Sequence, residues 1–107
     1  HYKNGEEYKP HFDFITASPT NSAELAAVGQ RVATVLIYLN DGYQGGETTF
    51  PTLNWSFKGK PGDALVFWNV DEAGEPDRRT LHAGAPVTGG EKWLYSKWIR
   101  ANPYPIL

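Results

Sequence analysis

Cysteine is absent from this 107-residue chain, and so is methionine. Without cysteine the chain has no disulfide, no thiolate nucleophile and no zinc finger, which favours a reducing compartment. A basic excess is also missing, since 10 Lys and Arg face 12 Asp and Glu for a net charge of −2. No apolar run approaches the roughly 18 residues that would span a bilayer. We therefore expect neither a nucleic-acid partner nor a membrane partner.

The chain opens on His1 and Tyr2, with neither an initiator methionine nor a signal-peptide pattern. We interpret it as a piece of a longer protein. Its length fits one domain, predicted over residues 1–107. Eleven glycines and eight prolines are spread along it, and aromatic residues make up 14%, which is typical of a small β-rich core.

Short strands between turns dominate the pattern. The clearest is rich in β-branched residues, covers residues 31–40 and ends at an Asp-Gly turn. The other predicted strands cover residues 8–14, 47–50, 55–57, 64–69, 81–82 and 93–100. One weak helix is predicted at 22–28, and a polar loop at 70–79. The class predicted from this pattern is all-β, a sandwich or a barrel.

Burial on both faces is predicted for the central strand 31–40, because apolar side chains occupy both alternating sets. The strand at 64–69 is also predicted to be buried. The expected core includes Trp55, Trp68 and Trp93 rather than leaving them to a binding site. Gly45 and Gly46 are expected to serve a turn or a close backbone approach. The charged run 77–79 is expected to be solvated.

Candidate metal ligands are concentrated in the sequence His11-Phe12-Asp13. Residues i and i+2 of a strand share a face, so an imidazole and a carboxylate would lie side by side. His82 is the obvious third ligand, whereas His1 is a weaker candidate. Two His and one carboxylate leave coordination positions open, as in non-haem Fe(II) oxygenases, and the same set can hold catalytic zinc. Taken alone, the motif also fits a half-exposed strand with two polar residues.

Lys92 is a second candidate, ten residues after His82. Alternation places it on one strand face with Leu94, Ser96, Trp98 and Arg100. An edge lysine facing water is the commoner case. If both faces are covered, however, a buried ammonium needs an anionic partner, and a substrate carboxylate would serve.

Several blocks resemble the prolyl 4-hydroxylase family, and they run in family order over nearly the whole chain. They include Tyr8-Lys9-Pro10-His11-Phe12-Asp13, Arg31-Val32-Ala33-Thr34, Tyr38-Leu39-Asn40, Gly45-Gly46-Glu47-Thr48, Ala64-Leu65-x-Phe67-Trp68, Leu81-His82-Ala83-Gly84, Gly90-x-Lys92-Trp93 and Lys97-Trp98-Ile99-Arg100. The resemblance implies a double-stranded β-helix, or jelly roll, with little helix. Family members usually carry N-terminal helices and a strand before the point where this chain starts. Their secreted eukaryotic members typically have disulfides, so a bacterial-type, cytoplasmic enzyme is expected.

The same resemblance implies an Fe(II)/2-oxoglutarate-dependent dioxygenase, with O₂ as the second co-substrate and ascorbate as a candidate reductant. The implied iron ligands are His11, Asp13 and His82. Lys92 would pair with the distal carboxylate of 2-oxoglutarate. The other implied 2-oxoglutarate contacts are Tyr2, Tyr38, Thr48 and Trp98.

For the substrate, the resemblance implies proline in a peptide or protein, hydroxylated at C4, with Tyr8, Arg31 and Arg100 near the peptide. Each of these has an ordinary alternative: Tyr8 as a core or rim aromatic, Arg31 paired with a carboxylate such as Glu47, and Arg100 as a solvated strand end. Three other functions stay open. They are the same chemistry on a free amino acid or small metabolite, a non-catalytic β-sandwich binding module, and a zinc hydrolase, which would have no use for Lys92. The sequence does not give the oligomeric state.

Overall fold

The computed structural model describes residues 1–102, so the last five residues of the predicted domain lie outside the described part. The strands are β1 (Tyr8–His11), β2 (Arg31–Tyr38), β3 (Tyr43–Gly45), β4 (Thr48–Phe50), β5 (Trp55–Phe57), β6 (Ala64–Trp68), β7 (His82–Gly84), β8 (Val87–Gly90) and β9 (Leu94–Arg100). One α-helix, α1 (Ser22–Val28), and two 3₁₀ turns, Pro51–Leu53 and Arg78–Thr80, complete them. None of the described helices has the length and apolar character of a bilayer crossing.

Within residues 1–102, antiparallel pairing builds three sheets, in the orders β1-β7-β4-β5, β6-β2-β9 and β3-β8. The predicted all-β class is confirmed, and the architecture is the predicted jelly roll with little helix. β2 is the centre of the second sheet, where Thr34 lies opposite both Phe67 of β6 and Trp98 of β9. This register carries inner side chains of β2 and β9 towards one cavity.

The outer face of the central strand, where Ala33 is 0% exposed, is covered less completely than the inner face, so the prediction of burial on both faces is only partly right. On its inner face Thr34, Leu36 and Tyr38 are buried, whereas Val35 and Ile37 of the outer face are only half-buried. β6 shows the same alternation, because Ala64, Val66 and Trp68 are exposed while Leu65 and Phe67 point inward. Apolar residues on both faces of a strand therefore do not establish that both faces are buried.

The prediction that three tryptophans belong to the core is also wrong. Trp55, Trp68 and Trp93 are 48%, 64% and 47% exposed. Trp68 lies on the outer face of β6, and Trp93 stacks on His1 with ring centroids 3.9 Å apart. The described core instead consists of smaller apolar residues and single aromatic rings such as Tyr38, Tyr43 and Phe50.

Two short strands, β3 and β8, were not predicted, because their glycines weaken the strand pattern. They pair with each other, and the glycines permit the close approach. Gly45 has φ +68°, and a Cβ on it would lie 2.4 Å from the carbonyl oxygen of Pro86. Gly46 has φ +69°. The expected turn and close backbone approach are thus confirmed at this glycine pair.

The other boundaries differ from the predicted strands by one to three residues, except at β5 and α1, which match. The solvated run 77–79 is confirmed, with Asp77 and Arg79 paired at the surface. The interpretation of Arg100 as a solvated strand end is wrong. Its guanidinium donates from Nε and Nη2 to the carbonyl of Gly29 and from Nη1 to Glu24, and its side chain is 5% exposed. Arg100 thereby ties α1 to the end of β9.

Candidate metal and 2-oxoglutarate site

β1 and β7 place two imidazoles side by side. His11 and His82 are directly opposite partners in this antiparallel pair, and their ring centroids are 4.2 Å apart. Opposite residues on one face of such a pair have Cβ atoms about 5 Å apart, which brings two rings into contact. The residues that the sequence separates by 71 positions therefore meet because of strand register alone.

Each imidazole is oriented by the backbone two residues before it. Nδ1 of His11 lies 2.7 Å from the carbonyl oxygen of Lys9, and Nδ1 of His82 lies 2.7 Å from that of Thr80. A carbonyl only accepts, so each Nδ1 carries a proton, and Nε2 is the ring atom left for a metal, whose binding would displace any proton held there. Such bonds fix the tautomer and ring orientation of metal-binding histidines.

Both Nε2 atoms face the carboxylate of Asp13, at 3.2 Å from His11 and 3.4 Å from His82, measured to Oδ1. Asp13 is buried, and burial alone would raise the pKa of its carboxyl. Hydrogen bonds from His11, His82 and Thr34 outweigh burial and hold this pKa well below its usual range. The carboxylate is therefore an anionic ligand at neutral pH.

His11 and Asp13 lie side by side as predicted, but the predicted reason, that both belong to one strand face, is wrong. β1 ends at His11, so Asp13 lies beyond the strand rather than two positions along its face. Its side chain still reaches His11 because the chain continues past the strand end towards β2, where Thr34 binds the other carboxylate oxygen.

The donor set fits a divalent transition metal. The candidate ligand atoms of His11, Asp13 and His82 all lie within 4.8 Å of one another. Metal–ligand bonds of about 2.1 Å at right angles would put neighbouring ligand atoms about 3 Å apart, close to the two distances to Oδ1. Two imidazoles and one carboxylate with open positions are the ligand set of non-haem Fe(II) oxygenases. In the described residues no other cluster of this type occurs.

A single cavity joins this triad to Lys92. Lys92 is 2% exposed, and its ammonium donates to the carbonyl of Gly46 at 2.8 Å. Among the described residues it forms no ion pair within 4.0 Å. Burial lowers its pKa to about 8. A buried cation without a carboxylate partner, facing a cavity, fits an anionic ligand.

The face predicted for Lys92 is confirmed along β9, since Leu94, Ser96 and Trp98 line the same cavity. Tyr2 lines it as well, in a backbone bridge to Lys92, and its ring centroid lies 5.0 Å from Nζ. Thr48 is a buried lining residue. Tyr38 is not among the lining residues, but its hydroxyl lies 2.5 Å from Oγ1 of Thr48.

The three residues predicted near a peptide lie in different surroundings. Tyr8 is half exposed, lines the cavity and has its ring 4.0 Å from that of His11. Arg31 stacks over Trp98 at 4.2 Å and has a buried Nε without a hydrogen-bond partner. Its predicted pairing with a carboxylate such as Glu47 is not found among the described ion pairs. Arg100 is occupied by α1 and does not line the cavity.

Sequence reasoning missed two buried polar residues behind the candidate metal ligand Asp13, namely Thr34, which contacts Asp13, and Asn69, which contacts Thr34. They are 1% and 0% exposed. The available signal was their position, since Thr34 is the one polar residue on the inner face of an otherwise apolar strand. A polar side chain at such a position has to find a buried partner.

The comparisons with known proteins agree with this geometry. The family model of the 2OG-Fe(II) oxygenase superfamily matches residues 1–100. A mouse protein named prolyl 4-hydroxylase subunit alpha-3 is 45% identical over 98 residues, covering 92% of this chain and 18% of the mouse protein. A protein of Arabidopsis thaliana named "Probable prolyl 4-hydroxylase 3" is 36% identical over 126 residues, covering 99% of this chain and 42% of the plant protein.

Among solved structures, the viral collagen prolyl hydroxylase of Paramecium Bursaria Chlorella virus-1, in its 2OG complex, is similar with a TM-score of 0.76 and 38% identity. That match covers 95% of this chain and 56% of the viral chain. The chain thus spans about half or less of the length of these relatives.

Proposed function

We propose that this chain, which belongs to the 2OG-Fe(II) oxygenase superfamily, hydroxylates a proline C–H bond in a peptide or protein, at C4. One oxygen atom of O₂ enters the product hydroxyl group, and the other enters succinate as 2-oxoglutarate loses CO₂. The observation that carries the proposal is the single cavity with a His-Asp-His cluster and the buried, unpaired ammonium of Lys92. A dicarboxylate can bind a metal at one end and a lysine at the other.

In this proposal His11, Asp13 and His82 hold Fe(II), which when bound supplies the activation of O₂ and the oxidation of the C–H bond. Lys92 binds the distal carboxylate of 2-oxoglutarate, and Thr48, with Tyr38 behind it, offers a hydroxyl beside that carboxylate. Tyr2 and Trp98 form walls of the cavity beside the co-substrate. The protein's part in the reaction is thus to orient two ligands.

The substrate class rests on the relatives named prolyl 4-hydroxylases and on the surroundings of the cavity. A second groove opens beside His82, because Phe50 and Phe67, whose rings flank this imidazole, also line that groove with Trp68 and Val70. Tyr8 is half exposed at the cavity, and Arg31 stacks on its wall residue Trp98. An open groove, lined by these apolar residues and by charged ones that include Asp71 and Glu72, suits a peptide better than a free amino acid, which would need a closed site with an additional cation.

Other assignments stay predictions. A binding module would expose its tryptophans, as all four are here, but they have different partners, and such a module has no use for a buried lysine. A zinc hydrolase also leaves Lys92 unexplained. Four assignments rest on the sequence alone. They are the domain 1–107, a cytoplasmic location based on the lack of cysteine, the absence of nucleic-acid and membrane partners, and ascorbate as reductant.

The direct test incubates the 107-residue chain with Fe(II), 2-oxoglutarate, O₂ and a proline-rich peptide. We expect succinate and a peptide gain of one oxygen atom in equal amounts, with mass spectrometry placing the oxygen on proline. Peptides in which alanine replaces proline are the matched control. Succinate formed with free proline but not with peptide would favour the small-metabolite alternative, and no succinate with any substrate would contradict the proposal.

The protonation of Lys92 predicts a pH dependence of co-substrate binding. Its pKa is lowered to about 8, so the ammonium that pairs with a carboxylate is mostly present at pH 7 and mostly lost at pH 9. Binding above pH 8 must take up a proton, so we expect 2-oxoglutarate to bind roughly tenfold more weakly at pH 9 than at pH 7. Anaerobic calorimetry at saturating metal measures this, and buffers of different ionisation enthalpy report the proton. An affinity that stays constant over this range would contradict the role of Lys92.

A further inference from the structure

Asp13 is held by a second set of contacts on the side away from the histidines. Its Oδ1 faces both imidazoles, whereas its Oδ2 accepts a 2.7 Å hydrogen bond from Oγ1 of Thr34. Thr34 is 1% exposed and lies in the middle of β2. The two oxygens of one carboxylate therefore have different partners, and only Oδ1 faces the candidate metal position.

The direction of this hydrogen bond is determined by Asn69. Its Nδ2 lies 2.9 Å from Oγ1 of Thr34, and an amide nitrogen only donates. Asp13 is ionised and only accepts, so the single hydroxyl proton of Thr34 has to point at Oδ2. The three groups form one directed chain, from amide to hydroxyl to carboxylate.

Asn69 is itself fixed by the backbone at the end of β6. It is fully buried, its N–H donates to the carbonyl of Val32, and its own carbonyl accepts from the N–H of Asp77. Its Nδ2 also lies 3.3 Å from the carbonyl of Arg31. Its Oδ1 is buried without a partner, a cost that the fold accepts at this position. The amide orientation is therefore set by its donor side.

We propose that Thr34 and Asn69 are positioning residues that occupy Oδ2 of Asp13 and leave Oδ1 as its only oxygen for the metal. A carboxylate free to rotate could bind a metal through both oxygens and take a position that 2-oxoglutarate requires. It would also lose the preorganisation that a fixed carboxylate gives the two histidines. This inference rests on the metal centre of the proposed function.

The decisive comparison is Thr34→Val against Thr34→Ser in the full chain. Valine keeps the volume and removes the hydroxyl, whereas serine keeps the hydroxyl. Loss of a residue that orients a metal ligand typically weakens metal binding by 10–100-fold. We therefore expect the dissociation constant for Fe(II) or Co(II), measured anaerobically without 2-oxoglutarate, to rise roughly 10–100-fold in Thr34→Val and by less than about threefold in Thr34→Ser.

Thr49→Val is the matched control, since Thr49 on β4 has its hydroxyl 3.4 Å from the carbonyl of Ala83 and does not contact Asp13. Thermal melting in metal-free buffer shows whether each variant is folded. If Thr34→Val does not fold, Asn69→Ala provides the second test, because it keeps the hydroxyl but frees its direction, and it should weaken metal binding by a smaller factor.

The outcomes separate this inference from the proposed function. A wild-type chain that binds no metal would overturn the metal centre itself. A wild-type chain that binds metal, with Thr34→Val binding equally well, would overturn only the positioning role. Equal weakening in Thr34→Val and Thr34→Ser would also overturn it, since a purely structural effect of packing would not be rescued by the hydroxyl.

Discussion

Replacing His82 by alanine should abolish Fe(II) binding while leaving the chain folded. Metal affinity falls by 10–100-fold when only an outer partner of a ligand is removed, so loss of the ligand itself should cost more than roughly 100-fold. His82 is 5% exposed, lies between Phe50 and Phe67, and points Nε2 at Asp13. The two ligands that remain, His11 and Asp13, are too few to hold the metal tightly.

The measurement is metal stoichiometry after dialysis, together with thermal melting with and without metal. Ligand that binds only the folded state at 100 times its dissociation constant stabilises it by about 2.7 kcal/mol. The wild-type chain should therefore melt higher with metal, and His82→Ala should not. His1→Ala is the matched control, because His1 is bonded to Glu91 and stacked on Trp93 away from the cluster. One metal ion per chain in His82→Ala would remove this residue from the site.

Part of this site could be predicted from the sequence because its residues carry unusual chemistry in short motifs. His11 and Asp13 stand two positions apart, and Lys92 stands two positions before β9, whose alternation correctly predicts the face that Lys92 shares with Trp98. What brings His82 to them is the register between β1 and β7, and register is a property of pairing that no single strand specifies.

The misses have physical causes of the same kind. Trp68 and Val66 have the composition of core residues, yet they lie on the outer face of β6 and are more than half exposed. Burial depends on which elements cover a face, and hydrophobicity does not report that. Thr34 and Asn69 were missed for the opposite reason, since their signal is a polar residue at a buried position, and the fold decides which positions are buried.

Replacing Lys92 by methionine should weaken 2-oxoglutarate binding strongly without weakening metal binding. Methionine keeps most of the stem volume and removes the ammonium. Truncating one partner of a buried charge pair costs about 2–5 kcal/mol, or roughly 30-fold or more in affinity. Lys97→Met is the matched control on the same region of chain, because Lys97 is exposed on the outer face of β9.

Lys92→Arg should fail to restore binding, although it restores the charge. A point charge and a planar fork need different space. The surroundings of Lys92 are tight, since a Cβ on Gly46 would lie 3.2 Å from its Cδ, and a Cβ on Gly84 would lie 3.7 Å from its Nζ. Full binding by the arginine variant would mean that charge alone, rather than position, selects the dicarboxylate.

The same substitution to methionine should also change stability, and in the opposite direction. Burial lowers the pKa of Lys92, which means that the folded chain without ligand binds this proton less well than the unfolded chain does. At pH 7 the buried charge therefore reduces the free energy of unfolding, and its removal should raise the melting temperature of the ligand-free chain. A variant that melts higher but no longer binds 2-oxoglutarate would identify Lys92 as a residue kept for its ligand. A lower melting temperature with unchanged co-substrate affinity would instead assign it a structural role.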